Sequence, residues 1–95
     1  MVVVSVTLQV PLEKRDAFWP SMEELVLESR KEPGVLAYTF SVDILDARLV
    51  RIFEVYADQA ALDAHMASSH FQAWRPLSEL FARQERWLMD ATRRS

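Results

Sequence analysis

The stretch VLAYTFSVDILDARLVRIFEVY, residues 35–56, decides the fold. Its first half, residues 35–45, is rich in β-branched and aromatic side chains and predicts a strand with Leu36, Tyr38, Phe40, Val42 and Ile44 on one face. Asp46 and Ala47 predict a turn, residues 48–56 predict a returning strand, and the pair predicts a hairpin. Two registers are open. A two-residue turn at Asp46-Ala47 pairs Tyr38 with Val55 and Phe40 with Phe53. A slip of one residue pairs Tyr38 with Glu54 and Leu36 with Tyr56, and it exchanges the two faces. Only the slipped register gathers Tyr38, Glu54 and Tyr56 on one side.

Upstream, Val2, Val4, Val6, Leu8 and Val10 alternate with Val3, Ser5, Thr7 and Gln9, which predicts a first strand ended by Pro11. Residues 13–32 carry Phe18, Met22, Leu25, Val26 and Ser29 at helical spacing. Pro20 inside that pattern predicts a kink, or the start of the regular part of the helix. Glu32-Pro33-Gly34 predicts its stop, with Gly34 free to take a positive φ. Downstream, Asp58 is a natural N-cap for a short helix through Ala60, Ala61, Leu62 and His65. Ser68 or Ser69 can cap a further helical segment with Phe71, Trp74, Leu77, Leu80 and Phe81 as its apolar stripe, Pro76 opening a new turn. Residues 85–91 predict a last strand.

The order is strand, helix, strand, strand, helix pair, strand. This is an α+β class, ferredoxin-like split βαβ unit: one domain over residues 1–95, with an antiparallel sheet and helices on one face. The other face should show Val35 and Ala37, with either Phe53 and Val55 or Val50 and Ile52 according to register. An exposed apolar sheet face marks an interface, and a two-fold dimer packing sheet on sheet would bury it.

Composition removes whole classes of function. The 95 residues are 51% apolar and 26% charged, which is globular rather than disordered. There is no run of ~18 apolar residues to span a bilayer, and no basic, cleavable N-terminal leader, so the expected location is cytoplasmic. No cysteine is present, which excludes disulfides, thiolate nucleophiles and thiolate metal sites. A single glycine rules out a phosphate-cradling loop. The net charge of −3 disfavours nucleic acid.

His65 shares a helix face with Ala61 and Leu62 and should point toward the sheet. It reads either as a core histidine bonded to a backbone carbonyl or as a proton-transfer group in a pocket. Glu54, in an apolar run, reads as a solvated strand residue or as a carboxylate held by a partner over the sheet. His70 at a helix start reads as a cap or surface residue. The two histidines lack the i, i+4 spacing of a helical zinc pair, so no metal site is expected. The many aromatics read as core that can leave a cavity for a flat ligand. No nucleophile elbow or triad serine is present.

The run from Glu54 through Tyr56, Asp58, Ala61-Leu62 and His65, closed by Ser68-Ser69-His70-Phe71, resembles the antibiotic biosynthesis monooxygenase family. Glu32-Pro33-Gly34, leading into the second strand, resembles that family too. The resemblance implies a dimeric α+β barrel with a pocket between sheet and helices. It also implies oxygenation of a small aromatic quinol or phenol by molecular oxygen, without metal, flavin or other cofactor. His65 and Glu54 would be the proton-transfer groups, and Tyr38, Phe40, Tyr56, His70, Phe71 and Trp74 the substrate-binding residues. Haem-degrading relatives rely on an asparagine of the first strand, and this chain has none. An isomerase of a phosphorylated autoinducer is similar in its Glu54, Tyr56, His65 and His70 pattern, and would need Arg51, Arg75 or Lys31 for the phosphate. A ligand-binding dimer without catalysis is the third alternative. A sealed core with His65 on a carbonyl would favour it, and an open cavity shared by Glu54 and His65 would favour an enzyme.

Overall fold

The computed structural model describes residues 1–78 and 82–90. Strand β1 (Val2–Gln9) runs through a short 3-10 turn into helix α1 (Arg15–Arg30). Strands β2 (Val35–Val42) and β3 (Leu49–Tyr56) form the hairpin, helices α2 (Gln59–Ala67) and α3 (Ser69–Ser78) follow, and β4 (Ala82–Asp90) closes the sheet. All pairings are antiparallel in the order β2-β3-β1-β4, the ferredoxin-like arrangement expected from the element order. Leu80, Phe81 and Ala91, assigned above to a helical stripe and to the last strand, lie outside the described residues.

Alternation in β1 decides what is core. Val2, Val4, Val6 and Leu8 are buried together with Val10, while Val3, Ser5, Thr7 and Gln9 are half-exposed. On β3, Val50, Ile52, Glu54 and Tyr56 are buried and Phe53 is exposed. Helix α1 lays Phe18, Met22, Leu25 and Ser29 onto this face at the predicted spacing. Full burial of one such aliphatic side chain is worth about 1.5–3 kcal/mol.

The hairpin takes the slipped register, with Tyr38 opposite Glu54. The loop spans residues 43–48 rather than two residues. Asp43 Oδ1 accepts the amides of Leu45 (2.8 Å) and Asp46 (3.2 Å), and the Leu49 amide donates to the Asp46 carbonyl (3.0 Å). An Asx-type turn at Asp43 thus ends β2 early, and Ile44 and Leu45 stand in solvent instead of extending the strand. A register shift between Val35 and Ala37 makes a bulge. Val35, not Leu36, pairs with Tyr56 and packs on the core, and Leu36 is exposed.

Pro20 and Pro76 both lie within helices. Helix α1 continues through Pro20, and Pro76 lies inside α3 instead of opening a turn. Gly34 does not use positive φ. Its requirement is space: a Cβ there would overlap the Cβ of Ala61, and the Ala57 amide donates to the Gly34 carbonyl at 2.9 Å. The β2 start is thereby pressed against α2. Gly34→Ala should lower unfolding free energy by about 1–3 kcal/mol through overpacking. Adding Ala61→Gly should recover part of that loss in denaturant melts, despite the usual helix cost of glycine. Recovery would not follow if the backbone dihedrals at position 34 were the constraint.

Candidate functional site

Asp58 caps α2 by accepting the Ala61 amide at 2.8 Å, as its position predicts. One turn beyond Ala61 on the same face, His65 is 1% exposed. Its ring lies between Tyr38 (5.3 Å between centroids), Tyr56 (5.5 Å) and Phe71 (5.1 Å). The helix then breaks at Ser68. The Ser68 hydroxyl donates to the His65 carbonyl (2.5 Å) and accepts the Phe71 amide (3.3 Å), turning the chain into α3. That break swings His70 back beside His65.

The partner of both rings is Glu32. Its Oε2 lies 2.8 Å from His65 Nδ1 and 2.8 Å from His70 Nε2. A carboxylate only accepts, so the imidazole nitrogens that face it carry the protons. His65 Nδ1–H therefore donates to Glu32, and Nε2 is left with its lone pair. Nε2 is buried and has no hydrogen-bond partner among the described residues. Glu32 itself is half-buried. Burial lowers the His65 pKa from its ordinary value, and the Glu32 hydrogen bond and charge oppose that shift.

A cavity of about 440 Å³ lies between the sheet and α2–α3. His65, Glu54, Tyr38, Phe71, Trp74 and Arg75 are among its lining residues. Its volume falls in the ordinary range for a small-molecule site, about 300–1,000 Å³. Glu54 is 6% exposed, and the Tyr56 hydroxyl donates to its Oε1 at 2.6 Å. Burial, then the Glu54 charge, raises the pKa of both Tyr38 and Tyr56, so the two phenols remain protonated donors. Trp74 Nε1, like His65 Nε2, is buried without a partner among the described residues. One orphan acceptor and one orphan donor therefore belong to residues lining the same cavity.

The expected site residues divide into three groups. His65, Glu54, Tyr38, Phe71 and Trp74 line the cavity. Tyr56 sits behind it as the partner of Glu54. His70 reaches it only through Glu32, and Phe40 lies apart, packed edge-on against Trp19 at 5.0 Å over a second depression of about 250 Å³. Of the basic residues considered for a phosphate, Lys31 pairs with Glu28 and Arg51 with Asp43, both at exposed positions, while Arg75 lines the cavity. Glu32 was not among the expected site residues. Its signal in the sequence was an acid immediately before the Pro33-Gly34 step, read above as a helix stop and as part of the family resemblance, without a role in the site.

Comparison with known proteins agrees with the fold. The antibiotic biosynthesis monooxygenase profile matches residues 1–77. The chain belongs to that family. An uncharacterised Synechocystis protein, sll1783, is 31% identical over 70 residues, which are 74% of this chain and 48% of that protein. The chain thus spans about half the length of this relative. YcnE of Bacillus subtilis, named as a candidate monooxygenase, is 30% identical over 78% of each chain. A crystal structure described as an antibiotic biosynthesis monooxygenase superposes with a TM-score of 0.85 at 34% identity, covering 98% of this chain and all of the other. Among the described residues, no helix is long and apolar enough to cross a membrane.

The His65 environment has a measurable consequence in metal-free protein. An unfolded histidine titrates near 6.5, and the folded His65 below that. Between the two values the unfolded state binds more protons, so stability rises with pH through this window and falls on acidification below about 6.5. Glu32→Gln removes the opposing influence and should move the His65 midpoint still lower, as read by NMR titration of the ring. An upward move would contradict the assignment of Glu32 as its partner.

Proposed function

We propose that the protein is a cofactor-independent monooxygenase of a small aromatic quinol or phenol, with His65 as the base that deprotonates the substrate hydroxyl. The observation that carries this reading is the buried ring at the cavity, with its Nδ1 engaged by a carboxylate and its Nε2 without a partner among the described residues. A phenolic O–H meets that lone pair, and the Glu32 charge stabilises the imidazolium that forms. The resulting phenolate is electron-rich enough to reduce oxygen itself. For a hydroquinone the balance is one quinol and one O₂ to one hydroxyquinone and one water. The aromatic walls exclude water from the anion. Glu54, held by Tyr56, is the second proton-transfer group, acting on the ring of the intermediate.

The homodimer belongs to the same reading. Phe53 is exposed on the open face of the sheet, and Met89, half-exposed, pairs with Val3 on the neighbouring strands. A second copy packed on this face would bury these side chains and close the barrel. Of the alternatives, a non-catalytic dimer fits less well, because His65 is bonded to a carboxylate beside an open cavity. A phosphorylated substrate fits less well because, of the three cations considered for its phosphate, only Arg75 lies at the cavity.

A species of twice the chain mass by light scattering, with oxygen uptake on a panel of hydroquinones and polycyclic phenols, is the expected result. His65→Ala should lose about 10²–10⁴-fold in turnover while its circular dichroism is preserved. Uptake unchanged in His65→Ala would overturn the assignment of the base.

A further inference from the structure

Glu32, His65 and His70 come from three separate places in the chain: the loop before β2, α2 and the start of α3. Each offers one ligand atom, and the three atoms lie within 4.8 Å of one another. The arrangement is more specific than proximity. His65 Nδ1 and His70 Nε2 both make their hydrogen bond to the same carboxylate oxygen, so two imidazole nitrogens are aimed at one point. Removal of the two protons leaves two lone pairs converging there with an anion alongside. Two neutral imidazoles and a carboxylate match the preference of borderline divalent ions such as Zn²⁺ or Co²⁺. With bonds of about 2.0–2.1 Å, tetrahedral ligands stand about 3.4 Å apart. Glu32 Oε2 would have to withdraw by a fraction of an ångström from each nitrogen, and the two nitrogens, up to 4.8 Å apart, would have to close by as much as about 1.4 Å. Glu32 and His70 side chains are each 17% exposed, which gives an ion and its remaining water ligands a route in, whereas His65 anchors the inner side.

We propose that Glu32, His65 and His70 form a binding site for one divalent transition-metal ion of the Zn²⁺ class, sharing His65 with the cavity. The consequence rests on the proposed function, but the binding does not. An ion on Nδ1 leaves the ring proton on Nε2, so His65 would present a donor to the cavity in place of a lone pair. The ion and the base function of His65 are then mutually exclusive, and occupancy would silence the proton-transfer step.

The test is calorimetric titration of chelator-treated full chain with ZnCl₂, with CoCl₂ absorption as a spectroscopic readout of the ligand field. One ion per chain is expected, with visible Co²⁺ bands. Removing a second-sphere partner already costs about 10–100-fold in metal affinity, so His70→Ala and Glu32→Gln should each weaken binding by more than that. His70→Ala carries the test even if Glu32→Gln fails to fold, because His70 lies at the accessible edge. Absence of binding, or binding that both folded variants retain, would overturn the site. Since no substrate is present, failure here is distinct from failure of the oxygenase reading, which leaves the titration unaffected.

Discussion

One carboxylate oxygen shared by two imidazoles is the constraint on which the site depends. Glu32 Oε2 draws an N–H from His65 and another from His70. Each such charge-assisted bond is roughly twice as strong as a neutral one. Their joint effect is directional. They decide which His65 nitrogen bears the proton and which is left open toward the cavity. They also tie the end of the α1 connection to α2 and α3, which the sequence separates from it by 33 and 38 residues. The backbone prepares that meeting. Gly34 lies against Ala61, and Ala57 donates to the Gly34 carbonyl, so the residue two before Gly34 is carried to the residue one helical turn after Ala61.

The rest of the site is expensive for a domain of this size. Desolvating a carboxylate costs several kcal/mol unless it is bonded in place. Glu54 is buried on the core face of β3 between Ile52 and Tyr56, where an apolar residue would cost nothing. Its bond from the Tyr56 hydroxyl offsets part of that cost, and burial, reinforced by the Glu54 charge, raises the pKa of both phenols. Polar atoms on His65 and Trp74 that have no partner among the described residues add to the expense. Buried polar and titratable groups with perturbed environments tend to cluster at functional sites, and these gather around one cavity.

Much of the fold was legible because periodicity reports it directly. Alternation in β1 and the apolar spacing of α1 return the observed core nearly residue for residue, and Asp58 caps α2 as its type predicts. What escaped depends on local chemistry that period alone does not encode. The hairpin register turns on Asp43 folding the loop back through its own side chain. The bulge at Leu36 reverses the face assignment of Val35. Gly34 was read for its φ, whereas contact with a helix distant in sequence is what requires it. His65 was legible from its helix face, and Tyr38 and Glu54 only if the slipped register held; Phe71 and Trp74 entered the expected site through the family resemblance. Glu32 was not, because its partners lie beyond any local window. The two histidines looked unrelated for a similar reason: their relation passes through a helix break and a third residue.

Glu32 sets the tautomer of His65, and long-range ¹H–¹⁵N NMR of the imidazole nitrogens in metal-free protein near neutral pH reads that tautomer. A protonated Nδ1 and an unprotonated Nε2 are expected for His65, lost to a mixture of tautomers in Glu32→Gln. A proton on Nε2 in the unmodified protein would contradict it, because the cavity would then face a donor rather than a base.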